Sequence, residues 1–319
     1  MAPKAKTMPE EADTVALAQV DKSDMSRKDW RAHMKAMGDA EGFYEDIGDE
    51  HTALFVRRGA TLIVTFENLD HVYENSESRM PWGFNFVEDR GWSFLGMMAH
   101  TWSWYRDESV YDFFDRLRDE SFFEGFDKVV FYGASMGAYA ACAFSAAAPK
   151  STVIAISPQA TLDRQIASWE TRYKKAWRRD YTTRYGYAPE MTSAAENVYL
   201  FYDPTEALDA MHASLFQGPN VQKFKCRYLG HRIASFWISL GLLKPIIQDC
   251  VDGTLTEPTF YERMRARRES MRYKRELLGR VQSRGRHDLV VRLCEYVLAQ
   301  NRGPKFRQAL KAAKAKLKI

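Results

Sequence analysis

The chain has 319 residues, of which 45% are apolar and 28% are charged, with a formal net charge of +4. This composition is typical of a globular protein and excludes a fibrous or wholly disordered chain. Because the sequence contains no run of about 18 apolar residues and no apolar segment of signal-peptide length near its start, we expect a cytoplasmic protein.

The distribution of charge and the spacing of the cysteines indicate how the chain is organised and in which kind of compartment it resides. Residues 261–319 carry 18 Lys and Arg against 5 Asp and Glu, a local balance of +13, which leaves −9 for residues 1–260. The sequence therefore predicts an acidic body with a basic tail. The four cysteines are far apart and form no CxxC pair, so we expect buried thiols in a reducing compartment and no metal or other cofactor.

The first predicted elements follow a polar stretch, residues 1–24, that is predicted to be disordered. A helix comes next, capped by Ser26 and stopped by Gly38. Three short apolar segments then predict strands: GFYEDIG, TALFVRRG and ATLIVTFEN. The first two are predicted to form an antiparallel edge pair. The third, with its largely apolar centre LIVTF, is predicted to be a central strand.

Residues 68–107 are predicted to be a long, aromatic-rich connection, a feature that is often functional. Beyond this connection strands alternate with helices, and the alternation over residues 60–230 predicts an α/β fold with a doubly wound, mostly parallel sheet. Residues 161–190 are longer than a simple crossover needs, so they are predicted to be an inserted helical lid. The predicted α/β domain spans residues 25–250.

Residues 255–319 are predicted to form a basic helical extension, with breaks at Gly285 and Gly303. Its charges lie on helices with apolar faces. We expect these helices to pack on the acidic body or on a protein partner. An anionic membrane surface ranks second, and nucleic acid is the least favoured because no nucleic-acid motif or stacking aromatic cluster is present.

The stretch VVFYGASMGAYAA, residues 129–141, places one serine between glycines where an apolar strand meets an alanine-rich helix. A Gly-x-Ser-x-Gly turn of this kind strains the serine backbone and exposes its hydroxyl, as a nucleophile requires. Ser135 is therefore the candidate nucleophile. The alternative is a tight turn with an idle serine.

A serine nucleophile needs a base, and in this architecture the order along the chain is Ser, acid, His. Only the three histidines that follow Ser135 in the chain satisfy this order and remain candidates for the base. His212 lies within a helical stretch, where a surface or packing role is expected, and His287 lies in the basic tail. His231 follows the strand KFKCRYLG directly, at the edge where ligands bind, so His231 is the candidate base.

The acid should end the preceding strand, and NVYLFYDP ends in Asp203. Asp203 is the candidate acid. The alternative is that its carboxylate caps the next helix and has no catalytic role. Asp209 is the runner-up, but within that helix it would more naturally face solvent or pair with Arg. The N–H of Met136 is the expected oxyanion donor, with a second donor near Asn68.

Two aromatic residues of the long connection, Trp82 and Phe84, are candidates for stacking on a substrate, although most aromatics there are expected to pack on the sheet. The segments GASMG, YDP and GH, taken together, resemble the α/β-hydrolase superfamily over about residues 43–250. This resemblance implies a serine hydrolase or acyltransferase with a covalent acyl-enzyme. The sequence lacks the HGGG string of many lipases, which weakens a lipase assignment.

The chain is also similar to bacterial hydrolase-like proteins associated with surface glycans, over WGFNFVEDRGWSFLG, WSWYRD and IAISPQ. The function that these resemblances imply is an esterase-type serine hydrolase. Its expected substrate is an ester, either of a small molecule or of an acylated polysaccharide or other glycan. Two alternatives stay open. One is a catalytically idle scaffold or interaction protein, and the other is an acyltransferase to a sugar hydroxyl.

Overall fold

A computed structural model describes Lys22 and residues 24–75, 79–81, 83–300 and 303–318. The stretch predicted to be disordered lies almost entirely outside the described residues. The chain divides into two compact units. The first runs to Tyr202 and includes Ala207–Lys223, and the second joins Asp203–Glu206 to the chain from Phe224 onward. This division falls near residue 223, earlier than the predicted limit of the α/β domain at 250, and the domain limits stay predictions.

Eight strands form one sheet. They are β1 Gly42–Ile47, β2 His51–Val56, β3 Thr61–Asn68, β4 Ser93–Ala99, β5 Lys128–Ala134, β6 Thr152–Ile156, β7 Asn197–Tyr202 and β8 Val221–Lys225. Their order in the sheet is β1-β2-β4-β3-β5-β6-β7-β8. β2 is antiparallel to both β1 and β4, whereas the pairs β4–β3, β3–β5, β5–β6 and β6–β7 are parallel. The predicted α/β class with a mostly parallel sheet is confirmed.

The helices of the first unit connect these strands. They are α1 Arg27–Glu41, α2 Leu69–Asn75, α3 Phe84–Glu88, α4 Glu108–Asp119, α5 Met136–Phe144, α6 Arg164–Ala167, α7 Ala188–Met191 and α8 Ala207–Leu215. Four 3-10 turns accompany them at Phe122–Gly125, Ser145–Ala147, Lys174–Arg178 and Thr192–Ala194. Every residue of α5 is buried, because small alanine side chains let this helix lie close against the sheet. The rings of Phe66, Phe114 and Phe144 stack with centroids 4.4 to 5.8 Å apart and join β3, α4 and α5.

Three details of the predicted order are wrong. The connection over residues 68–107 contains the fully buried strand β4, whose uninterrupted apolar sequence SFLGMMA was read as loop. Because β4 pairs with β2, β2 is an interior strand, and of the predicted edge pair only β1 lies at an edge of the sheet. Helix α1 is capped by Ser26 as predicted but continues through Gly38 to Glu41. A Cβ at Gly38 would lie 2.7 Å from the carbonyl oxygen of Phe43, so the glycine permits close packing and does not end the helix.

The second unit is helical. Its helices are α9 Ile233–Ser239, α10 Leu243–Val251, α11 Glu257–Arg263, α12 Met271–Ser283, α13 His287–Gln300 and α14 Pro304–Leu317, with a 3-10 turn at Met264–Glu269. The breaks predicted at Gly285 and Gly303 separate the last three helices. The apolar faces of these helices form one core, in which Leu278, Val297 and Phe306 are buried. The basic extension therefore covers much of its own apolar surface, and the partner of its charged surface stays a prediction.

All four cysteines are buried free thiols, as predicted: Cys142, Cys226, Cys250 and Cys294. Among the described residues, no helix is both long and apolar enough to cross a membrane. In the same part of the chain, no group of three or more His, Cys, Asp or Glu side chains is arranged to hold a metal ion.

A buried histidine in β2 makes the stability of the first unit depend on pH. His51 is fully buried, with Nε2 2.7 Å from the hydroxyl oxygen of Ser103. Burial lowers the pKa of His51 from 6.5 to about 4. In the unfolded chain the imidazole takes a proton below about pH 6.5, whereas the folded protein keeps it neutral down to about pH 4, so acid favours unfolding.

We therefore expect the free energy of unfolding to fall between pH 7 and pH 5, with a share of roughly 2 kcal/mol from His51. Burial also lowers the pKa of His212 and of His100, which act in the same direction. Urea denaturation at both pH values, on the native protein and on His51→Gln, measures the share of His51. Equal losses of stability in the two proteins would contradict this assignment.

Candidate active site

The turn at Ser135 has the geometry that the Gly-x-Ser-x-Gly pattern predicts. Strand β5 ends at Ala134, Ser135 has φ 53° and ψ −122°, and α5 begins at Met136. The Ser135 N–H donates to the carbonyl of Ile156 in β6 at 2.9 Å, and its own carbonyl accepts from the first turn of α5. A non-glycine residue in this region stores about 1–3 kcal/mol of strain, which the surrounding sheet and helix must hold.

Two glycines make this turn sterically feasible. A Cβ at Gly133 would lie 2.2 Å from the carbonyl oxygen of Gly137, and a Cβ at Gly137 would lie 2.3 Å from the carbonyl oxygen of Phe66. Real Cβ atoms do not approach backbone oxygen so closely. The glycines therefore let α5 start directly against β5 and β3, which places the serine at the carboxyl end of the parallel strands.

The predicted oxyanion donors lie on either side of this contact. Met136 is the first residue of α5, where backbone N–H groups have no acceptor within the helix. Asn68 ends β3 in register with Ala99 and is buried, and its side-chain amide donates to the carbonyl of Thr101 at 3.5 Å. Since the carbonyl of Phe66 touches Gly137, the end of β3 lies beside the serine turn. The roles of Met136 and Asn68 as donors stay predictions.

Asp203, the candidate acid, follows β7 and is fully buried. Its Oδ1 accepts from the Thr205 N–H at 2.8 Å and from the Thr205 hydroxyl at 2.7 Å, an arrangement that stabilises a turn. Its Oδ2 accepts from the Gly230 N–H at 2.8 Å. The carboxylate therefore does more than cap a turn, because it also holds the residue that precedes His231.

His231, the candidate base, is half-buried. The prediction that His231 directly follows the last strand is wrong, because β8 ends at Lys225 and residues 226–230 form a turn between them. His231 lines a cleft of about 230 Å³ within the second unit, together with Arg272 and Glu276 among others. Ser135 belongs to the first unit, and Asp203 and His231 to the second. That Ser135, Asp203 and His231 act together therefore stays a prediction.

The alternative histidine and acid have other partners. His212 is fully buried, its Nδ1 accepts from the Ala160 N–H at 3.1 Å, and its Nε2 donates to Glu170 at 3.1 Å. With both ring nitrogens engaged, His212 has a structural role inside the fold. Asp209 pairs with Arg172 at 2.6 Å, as expected of it, but is buried and does not face solvent. His287 begins α13, in the basic extension.

The buried carboxylate of Glu170 binds two of the residues just described, His212 and Arg172. Burial raises the pKa of Glu170, but hydrogen bonds from His212 and Arg172 outweigh that effect and lower it to about 2. Arg172 binds both Glu170 and Asp209 with its guanidinium nitrogens 2.6 Å from each carboxylate. This arrangement ties the segment 161–190, which we call the lid segment, to α8. The sequence did not single out Glu170, because its partner His212 lies 42 residues further along the chain.

Of the two aromatic residues predicted to bind substrate, Trp82 and Phe84, the structure describes only Phe84. Trp82 lies outside the described residues. Phe84 is 1% exposed and its ring packs edge-on against Phe94 at 5.2 Å, which favours packing on β4 over contact with a substrate. Trp102 is 64% exposed, in the loop that follows β4. The aromatic crowding of the sequence marked this loop but could not distinguish Trp102 from its buried neighbours.

Comparison with known proteins gives structural similarity only. No family model and no curated protein matches the chain. A glycosylation-associated protein complex from Streptococcus agalactiae has a TM-score of 0.42 and 16% identity, over 63% of this chain and 44% of that chain. An esterase from Pyrobaculum calidifontis has a TM-score of 0.44 and 13% identity, over 77% of this chain and 99% of the esterase.

The capsule O-acetyltransferase of Neisseria meningitidis serogroup A has a TM-score of 0.41 and 10% identity, over 63% of this chain and 94% of the transferase. At such identities and TM-scores, these similarities carry no argument about activity. The sheet order and the strand–serine–helix turn are themselves sufficient to assign the fold. The chain has the α/β-hydrolase fold.

Proposed function

We propose that the protein is a serine hydrolase that cleaves carboxylic esters. The observation that carries this proposal is the backbone of Ser135, which is held at φ 53° and ψ −122° between β5 and α5. Strain of this kind persists where a fold over-determines it, and it clusters at functional sites. Ser121 also has a positive φ, but its ψ of 29° is that of the ordinary left-handed region, whereas the ψ of −122° at Ser135 lies outside that region.

In the proposed reaction Ser135 attacks the ester carbonyl while His231 accepts its proton. Asp203 holds the imidazole in one tautomer and stabilises its charged form. The Met136 N–H stabilises the oxyanion of the tetrahedral intermediate, with Asn68 as the second donor. His231 then protonates the leaving alcohol, and water that it activates hydrolyses the acyl-enzyme. The hydrogen bond from Gly230 to Asp203 supports this assignment, because it fixes the chain next to His231.

The proposed substrate class is an ester carried by a glycan. The support is the resemblance of the sequence to hydrolase-like proteins of surface glycans, together with the exposed ring of Trp102. β4 is parallel to β3, so Trp102 follows the same carboxyl edge of the sheet that carries Ser135. Aromatic faces at such an edge can stack on sugar rings.

Hydrolysis of p-nitrophenyl acetate and of an acetylated oligosaccharide tests the proposal. The native protein should release acetate from both, and Ser135→Ala should release none. Trp102→Ala should raise KM for the oligosaccharide and leave the small ester unaffected. Hydrolysis of the small ester alone would remove the glycan from the proposal and keep the esterase. A folded native protein that cleaves neither compound would refute the esterase.

A further inference from the structure

The cleft beside the candidate base lies wholly within the second unit. It has a volume of about 230 Å³, and all of its lining residues belong to that unit. Sites that enclose a whole drug-sized molecule have volumes of about 300–1,000 Å³. A cleft of this smaller size is suited to one chemical group of a larger ligand, and that group would lie directly against His231.

An aromatic ring holds one arginine at the wall of this cleft. The guanidinium carbon of Arg272 lies 5.0 Å from the centre of the ring of Phe236, which lines the same cleft and is itself buried. Such a contact engages the face of the guanidinium, whereas its five N–H donors lie in the guanidinium plane. The ring therefore restricts the side chain of Arg272 without using its hydrogen-bond donors.

The charges around the cleft leave an excess of positive charge. Two carboxylates line it, those of Glu206 and Glu276, and both pair with Arg280. Two further guanidinium groups line it, those of Arg232 and Arg272. Within the described part of the chain, neither of these two arginines has a carboxylate partner. Three guanidinium groups therefore stand against two carboxylates.

These arginines define the chemistry of the group that the cleft accepts. A guanidinium binds a carboxylate or a phosphate through short, charge-assisted hydrogen bonds, often two at once. A cationic group would be repelled by Arg232 and Arg272, while the glutamates of the cleft already share one guanidinium. The local balance of +13 over residues 261–319 also attracts anions towards this unit. The cleft therefore favours an anionic group.

We propose that this cleft binds a carboxylate or a phosphate on the alcohol portion of the ester, through Arg272 and Arg232. This inference rests on the proposed function, in which His231 protonates the leaving alcohol. The alcohol oxygen must then lie within hydrogen-bond reach of His231. The atoms beyond that oxygen are therefore next to the cleft that His231 lines. The preferred substrate class is an ester of an acidic glycan, selected over esters of neutral ones.

Two esters of the same shape test the inference on the full chain. 4-Acetoxybenzoate carries a carboxylate on its phenol, and 4-acetoxybenzamide carries a neutral amide at the same position. The native protein should have a kcat/KM about tenfold higher for the carboxylate, as one hydrogen bond to a charged group provides. Arg272→Gln should lower this ratio to about one. The ratio of kcat/KM for 4-acetoxyphenyl phosphate to that for 4-acetoxybenzoate then shows which anion the cleft prefers.

Arg275→Gln is the matched control, because it removes the same charge from an exposed position of α12 that does not line the cleft. This variant should keep the preference for the carboxylate. If the native protein cleaves both esters equally well, or if Arg272→Gln keeps the preference as Arg275→Gln does, the anion site is wrong and the esterase stands.

A binding measurement separates this inference from the proposed function. Ligand-observed NMR follows the binding of 4-hydroxybenzoate, the product of the charged ester, to Ser135→Ala. The dissociation constant should rise about tenfold when Arg272→Gln is added to that variant. A native protein that cleaves no ester, together with this loss of binding, would refute the esterase and keep the anion site. Equal binding to the single and the double variant would overturn the anion site.

Discussion

Replacement of Ser135 by Gly is expected to lower kcat/KM for ester hydrolysis by at least about ten-thousandfold while making the protein more stable. The loss of activity follows from removal of the nucleophilic oxygen. The gain of roughly 1 kcal/mol in the free energy of unfolding follows because glycine occupies φ 53° without the strain that a Cβ causes. Hydrolysis of p-nitrophenyl acetate and urea denaturation measure the two effects.

Ser121→Gly is the control for the stability term. Ser121 also has a positive φ, 54°, but it lies at the start of the 3-10 turn Phe122–Gly125, in the connection between α4 and β5. This variant should gain stability and keep full activity. Hydrolysis by Ser135→Gly at close to the native rate would remove the serine from the mechanism. A loss of stability in that variant would contradict the strain assigned to the Ser135 backbone.

Replacement of Asp203 by Asn is expected to lower kcat by about ten-thousandfold and the free energy of unfolding by about 1–3 kcal/mol. An amide has one acceptor oxygen and one donor nitrogen. It cannot accept from Thr205 and from Gly230 at once, as the two carboxylate oxygens do. The turn before His231 would therefore loosen, and the imidazole would lose the partner that sets its tautomer. Steady-state kinetics and urea denaturation measure the two losses.

Asp180→Asn is the matched control. Asp180 Oδ1 accepts from the Thr182 N–H and the Thr182 hydroxyl, each at 2.7 Å, the same local turn that Asp203 makes with Thr205. Unlike Asp203, Asp180 is exposed and lies in the lid segment. Its substitution should change kcat by no more than about twofold. If Asp203→Asn has an effect as small as that of Asp180→Asn, Asp203 serves only its turn.

The parts of the candidate site that follow from sequence are local ones. The turn at Ser135 depends on Gly133 and Gly137, whose spacing is visible in the sequence and whose contacts explain it. The position of Asp203 at the end of β7 was predictable because it directly follows an apolar run, and its role as the acid stays a prediction. The order of strands and helices was sufficient to predict the fold class, because each element has its own apolar period.

The parts that did not follow from sequence depend on contacts between distant residues. The network around Glu170 joins positions separated by 37 to 52 residues, and no local pattern reports such pairs. β4 was missed because it lies within residues 68–107, which were predicted to be one long aromatic-rich connection, whereas its pairing with β2 and β3 makes it a strand.

Labelling with a fluorophosphonate probe tests the central claim, that Ser135 is an activated nucleophile. The native protein should take up one equivalent of probe, and peptide mapping should find it on Ser135. Ser135→Ala should take up none, and His231→Ala should react far more slowly, because the base that removes the serine proton is absent. Adducts on another residue, or a folded native protein that stays unlabelled and cleaves no small ester, would contradict the account.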